Sequence, residues 1–140
     1  MSWPSIYWIA STSKRGNDYA MKRRIIIFIS GAYTGNTKEE TAENIRIAKL
    51  YSCLLWGIGY TVICPHLNTA HFDTDCICEY KDYISGDLEM MKRCDVLFQL
   101  PNWDYSRGAR IEFFIAKRRG IPIFESIIKL EEWHAESIKN

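Results

Sequence analysis

From residue 25 onward, hydrophobic positions alternate between short β-type runs and longer stretches with helical spacing. Ile25-Ile26-Ile27-Phe28-Ile29 is a continuous, mostly β-branched run, the pattern of a central parallel strand buried on both faces. Thr37, with Glu40 three residues later, marks a helix start. Ala42, Ile45, Ala48, Ser52 and Leu55 recur at helical spacing and predict a helix to about Trp56 facing a sheet, closed by Gly57 and Gly59. Tyr60 to Cys64 reads as a second strand. Tyr80 to Arg93 reads as a helix with Ile84, Leu88 and Met91 on one face. Val96-Leu97-Phe98, bounded by Asp95 and Pro101, is a third strand. After a polar loop, Gly108 opens a helix that closes at Lys117-Arg118-Arg119 and Gly120, a cationic last turn followed by glycine. Ile121-Pro122-Ile123-Phe124 is a fourth strand, its proline pointing to an edge or to the strand start. Leu130 to Ile138 is a short amphipathic helix anchored by Trp133.

Strands alternating with helices predict an α/β fold: a doubly wound, flavodoxin- or Rossmann-like parallel sheet of four to five strands with helices on both faces and right-handed crossovers. Residues 1–20 differ in character. Trp3 to Ala10 is aromatic and apolar, Ser11 to Asp18 polar, and Met21 stands directly before Lys22-Arg23-Arg24 and the first strong strand. We read residues 1–20 as an N-terminal extension without chemistry, with a possible edge strand at Ile6–Ile9, and residues 21–140 as the domain.

Composition narrows the classes. The chain has 140 residues, 47% hydrophobic and 25% charged, which fits one domain with one core. A net charge of +1 argues against a duplex nucleic-acid partner. No apolar run approaches the ~18 residues needed to span a bilayer. Five cysteines, an odd number without a visible signal peptide, predict reduced thiols and a cytoplasmic protein. Five Trp in a 14% aromatic chain suggest an interface or a ligand surface.

Three loops could carry chemistry. Ser30-Gly31-Ala32-Tyr33-Thr34-Gly35-Asn36 follows the first strand. Its small residues would let the backbone approach a ligand, and the following helix start could cradle a phosphate or carboxylate. It is neither a Walker loop nor G-x-G-x-x-G, and a plain strand-to-helix turn would look similar. Asn44, one turn into that helix, could face the loop or solvent. Pro65 to Cys78 holds His66, His71, Asp73, Asp75, Cys76 and Cys78, but C-x-C with H-x4-H matches no structural zinc spacing, so we expect no metal. We expect instead a mobile flap over a pocket, about 14 residues without regular structure, with His66 and His71 near the substrate or simply solvated. Asp87 could point at the site or be a solvated acid. The third loop, Pro101 to Arg107, precedes the unusual residue, Glu112. Ala109, Ile111, Phe113, Phe114, Ile115 and Ala116 surround it and leave no clear polar face, so the helix is expected to be buried against the sheet and another subunit or helix. A buried carboxylate is costly unless paired or used. A surface pair with Arg110 or Arg118 is the plainer reading; the adjoining loop favours a site.

The pattern Ile29-Ser30-Gly31-Ala32-Tyr33-Thr34-Gly35, followed by Cys94 to Ala116 (CDVLFQLPNWDYSRGARIEFFIA), resembles the nucleoside 2-deoxyribosyltransferase superfamily. It is most similar to a small, often phage-encoded branch. The likeness runs from Ile25 to about Phe124, and the spacing of Ser106, Gly108, Glu112 and Ala116 is its most specific part. It implies that Glu112 is the nucleophile at C1′ of a deoxyribose, that Asp95 holds or protonates the leaving base, and that Tyr33 lies near the sugar. Ser30, Gly31, Gly35, Asn36, Ser106, Gly108, His66 and Asp87 complete the expected binding residues. The transferases carry an aspartate at the place of Ser106, whereas the related deoxynucleoside 5′-monophosphate N-glycosidases carry a phosphate-contacting serine. A hydroxyl can donate to a phosphate that a carboxylate would repel. The resemblance therefore implies cleavage of the N-glycosidic bond of a deoxynucleoside or its 5′-monophosphate, by hydrolysis or transfer, in a homo-oligomer without a cofactor. The alternatives are a non-catalytic nucleotide-binding protein on the same fold and an assembly protein whose aromatics form an interface.

Overall fold

The computed structural model describes residues 24–139. The element order is β1 (Ile26–Ser30), α1 (Lys38–Ile58), β2 (Thr61–Ile63), α2 (Pro65–Asn68), α3 (Phe72–Asp75), α4 (Tyr80–Met91), β3 (Val96–Gln99), a 3₁₀ turn (Trp103–Tyr105), α5 (Arg107–Arg118), β4 (Ile123–Phe124) and α6 (Ile127–Lys139). The four strands form one parallel sheet in the order β2-β1-β3-β4. This is the α/β architecture the sequence predicts, with four strands among the described residues. The Ile6–Ile9 strand lies outside them.

Strand alternation sorts the core onto two faces. Ile27, Ile29, Val96 and Phe98 pack with Ala48 and Leu55 of α1 and Leu130 of α6. Phe28 and Leu97 pack on the opposite face with Met91 of α4 and Ala116 of α5. Central strands buried on both sides are why β1 and β3 read as unbroken apolar runs. The proline-containing segment supplies β4 at the sheet edge, paired among the described residues with β3 alone. Trp133 packs on Phe124 with ring centroids 5.5 Å apart, the anchoring expected of α6.

Helix α1 begins as the Thr37 and Glu40 pattern predicts: Glu40 N–H donates to Thr37 Oγ1 at 3.1 Å. Ala48, Ser52 and Leu55 are buried as expected, whereas Ala42 lies exposed in the first turn, before the helix reaches the sheet. Two further expectations change. Helix α5 is not covered all round: Ala109, Glu112 and Ala116 form its buried stripe, while Arg107, Arg110, Phe114 and Lys117 are exposed. The segment from Pro65 to Cys78 is not structureless, because α2 and α3 occupy much of it. Pro65 sits at the first helical position, where its missing N–H costs nothing, and Cys64 O accepts from Leu67 and Asn68 N–H at 3.0 and 3.2 Å.

The strand order places the topological switch between β1 and β3. Their carboxyl ends, Ser30 and Gln99, lie side by side in register. Chain leaves these two ends towards opposite sides of the sheet, opening the crevice in which such folds bind ligands.

Candidate active site

A cleft of about 630 Å³ opens at this crevice. Gly31 and Tyr33 after β1, His66 and Asp73 from α2 and α3, Tyr83 and Asp87 from α4, and Ser106 to Ala109 with Glu112 from α5 contribute to its wall. Four separate segments thus bring together Glu112, Tyr33, Gly31, Ser106, Gly108, His66 and Asp87, all expected from the sequence.

Glu112 lies on the sheet-facing stripe of α5 and is only 6% exposed. Ser30 Oγ, at the end of β1, donates to its Oε1 across 3.4 Å. Its Oε2 is buried without a partner, as is Nε2 of Gln99 on the same sheet face. No Arg or Lys pairs with Glu112 among the described residues, which removes the surface-pair reading. Burial, reinforced by the charge of Asp87, pushes its pKa up to about 8, with Ser30 opposing. Burial likewise raises Asp87 to about 6. Two carboxyl groups, both with proton affinities raised by burial, line one cleft, an environment in which functional acids and bases are found.

Ser106 caps α5, its Oγ accepting from Ala109 N–H at 3.2 Å, and so lies between the helix start and the cleft. Gly108 fits beneath α4: a Cβ there would meet Ile84 Cδ1 at 3.0 Å. His66 is buried, and its Nε2 donates to Ala32 O at 2.8 Å. Burial depresses its pKa and favours the neutral ring. Tyr33 stacks edge-on against that ring at 5.7 Å, and its hydroxyl accepts from His71 N–H at 2.8 Å. His71 itself adopts a left-handed backbone (φ 64°) at the start of α3.

Three expected residues fall elsewhere. Asp95 does not line the cleft. Its Oδ2 accepts from Ile26 N–H at 2.8 Å, and its own N–H donates to Ile26 O at 2.8 Å, at the amino ends of β1 and β3. A residue that precedes a parallel strand starts at the end of the sheet opposite the ligand crevice. Gly35 and Asn36 also stay outside: Gly35 N–H donates to Thr41 Oγ1 at 2.9 Å, and Asn36 N–H to the Glu40 carboxylate. The start of α1 satisfies its own amides and offers no phosphate cradle. The start of α5, with Ser106 and Arg107, borders the cleft instead.

Sequence reading missed Arg107 and the α4 side chains Tyr80, Tyr83 and Ile84, which line the cleft. It also missed Asn102. Their signal was weak, because tyrosines on a helix face read as core and a loop asparagine reads as a turn former. Among the described residues no group of three or more His, Cys, Asp or Glu side chains is placed to hold a metal, all five cysteines are free thiols, and no helix is long and apolar enough to cross a membrane.

Residues 25–125 match the model of a domain of unknown function, DUF4406. No curated protein matches the chain. Among solved structures it is similar to a 2-deoxyribosyltransferase from the psychrotolerant bacterium Bacillus psychrosaccharolyticus, with 20% identity, a TM-score of 0.52, and 70% of this chain and 69% of that one covered. At this identity the likeness shows a shared fold, the one implied by the sequence resemblance.

Proposed function

The chain belongs to the DUF4406 domain family, and from that membership, the deoxyribosyltransferase fold and the cleft we propose that it cleaves the N-glycosidic bond of a 2′-deoxynucleoside, with the 5′-monophosphate favoured. The observation that carries this reading is the buried carboxyl of Glu112, without a cationic partner among the described residues, facing the same cleft as Asp87.

Glu112 in its ionised form attacks C1′. The bond to the base nitrogen breaks, its electron pair stays on the base, and a proton from Asp87 neutralises the leaving group. The product is a glycosyl ester on Glu112, as in retaining glycosidases. Water attacking C1′, with its proton passing to Asp87, releases the sugar and regenerates Glu112; a nitrogen of a second base gives transfer instead. Asp87 takes the acid role that the resemblance assigned to Asp95, because Asp87 lines the cleft and its raised pKa retains a proton at pH values where an ordinary aspartate has none. Tyr33 and His66 line the same cleft as Glu112, where the sugar would rest. Ser106 and Arg107, at the positive end of α5, supply a donor and a cation for a 5′-phosphate.

The test is incubation of purified protein with deoxynucleosides and their 5′-monophosphates, with and without a second free base, followed by chromatography of released base. Release that vanishes in Glu112→Ala supports the reading, and exchange onto the added base makes the protein a transferase. No release from any substrate, with thermal stabilisation by a nucleotide, would replace it with a binding protein on the same fold.

A further inference from the structure

Ala32 and Tyr33, just past β1, are gripped by a ladder of two asparagine side chains. Ala32 N–H donates to Asn102 Oδ1 at 3.1 Å. Asn102 Nδ2 donates to Asn44 Oδ1 at 3.1 Å. Asn44 Nδ2 donates to Tyr33 O at 3.1 Å. The two backbone ends fix both amide orientations. An N–H at one end requires Asn102 to present oxygen, so its nitrogen faces Asn44; Asn44 must then present oxygen to it and nitrogen to the Tyr33 carbonyl. No other common side chain offers a donor and an acceptor in this short planar form, so an Asn-Asn pair is specified at 44 and 102.

The ladder joins three elements. Asn44 stands on α1, Asn102 on the loop after β3, and the gripped dipeptide on the loop after β1. On its other side, Ala32 O accepts from His66, and the Tyr33 hydroxyl accepts from His71 N–H. Every anchor of Ala32 and Tyr33 other than the ladder comes from the segment carrying α2 and α3. The ladder instead ties the dipeptide to α1 and to the loop after β3.

We propose that Asn102 and Asn44 are positioning residues: they hold Tyr33 and the His66 acceptor in register with Glu112 across the cleft without touching substrate. This rests on the proposed glycosidic cleavage for its kinetic consequence, though not for its geometry. A misplaced wall residue is costly because catalysis depends on sub-ångström placement, so the effect falls on kcat more than on folding.

The experiment uses the full chain, in wild-type form and as Asn102→Asp, Asn102→Ala, Asn44→Ala and the double variant Asn44→Ala/Asn102→Asp. Asn102→Asp keeps the acceptor for Ala32 but turns the middle rung round, forcing Asn44 to present oxygen to the Tyr33 carbonyl. It should therefore behave as Asn44→Ala does, and the double variant should be little worse than either single one. For each of them kcat should fall about 10- to 100-fold with KM changed less than about threefold. Ala32 amide exchange, read by NMR, should stay slow in Asn102→Asp and quicken about tenfold or more in Asn102→Ala. An unchanged kcat in all variants, or additive effects in the double variant, would overturn the proposal. If the wild type cleaves nothing, the functional reading fails by itself; Ala32 exchange in Asn102→Ala then decides the ladder, and unaltered protection there would overturn it.

Discussion

Glu112 on α5 and Asp87 on α4 face one cleft, and the charge of Asp87 helps hold the proton on Glu112. The pair binds protons with apparent pKa values near 6 and 8 that belong to both groups together. The proposed cleavage would need the proton on Asp87 and the charge on Glu112, the less populated of the two singly protonated forms. A bell-shaped kcat/KM profile is expected, with limbs near 6 and 8. Glu112→Gln should lower kcat by roughly three to six orders of magnitude. Asp87→Asn should lower it by about 10²- to 10⁴-fold. A substrate with a highly activated leaving group should recover most of the Asp87→Asn loss and none of the Glu112→Gln loss.

The same burial links stability to pH. The folded chain keeps the Glu112 proton up to about 8, whereas the unfolded chain releases it near 4.5. Between those values the folded state binds more protons, so stability falls as pH rises, by at most about 1.4 kcal/mol per pH unit for this group. Below the lower value the contribution is fully present; above the upper one it is lost. Urea unfolding from pH 5 to 8 should show this decline, and Glu112→Gln should flatten it and exceed the wild type in stability at pH 8.

Gly31 is required by packing. A Cβ there would meet Leu100 Cδ1 and Cβ at 2.7 and 2.8 Å, against a side chain that is fully buried. Gly31→Ala should cost about 1–3 kcal/mol. Leu100→Ala alone should cost about 2–5 kcal/mol through the cavity it leaves. The double variant should be less destabilised than the sum of the two, as measured by denaturant midpoints, because Leu100→Ala removes the Cδ1 and Cγ contacts and leaves only the Cβ contact to be relieved by a small shift.

Phe114 and Tyr105 are 64% and 85% exposed on and beside α5, and Tyr105 borders the cleft. We expect self-association through this face, matching the homo-oligomer implied by the sequence resemblance. Light scattering should report more than one copy at assay concentration, and Phe114→Glu should shift the protein to monomer.

The sequence by itself determined the layer order. The unbroken β-type runs Ile25–Ile29 and Val96–Phe98 read as strands covered on both faces, and the helix spacing between them implies parallel crossovers. The burial of Glu112 was legible from its apolar helix neighbours, among which a carboxylate must be paired or used. Which carboxyl joins it was not legible, because Asp87 and Asp95 differ by where α4 and β3 end in space rather than by their neighbours in the chain. Asp95 comes just before a strand and so stays at the amino end of the sheet, while α4 runs back across the sheet and brings Asp87 to the cleft. The Asn44–Asn102 ladder was likewise invisible, since its partners are 58 positions apart and a hydrogen bond between them exists only once the sheet has set α1 beside the loop after β3. Periodicity reports which face is buried; only tertiary structure decides which distant side chains share that buried space.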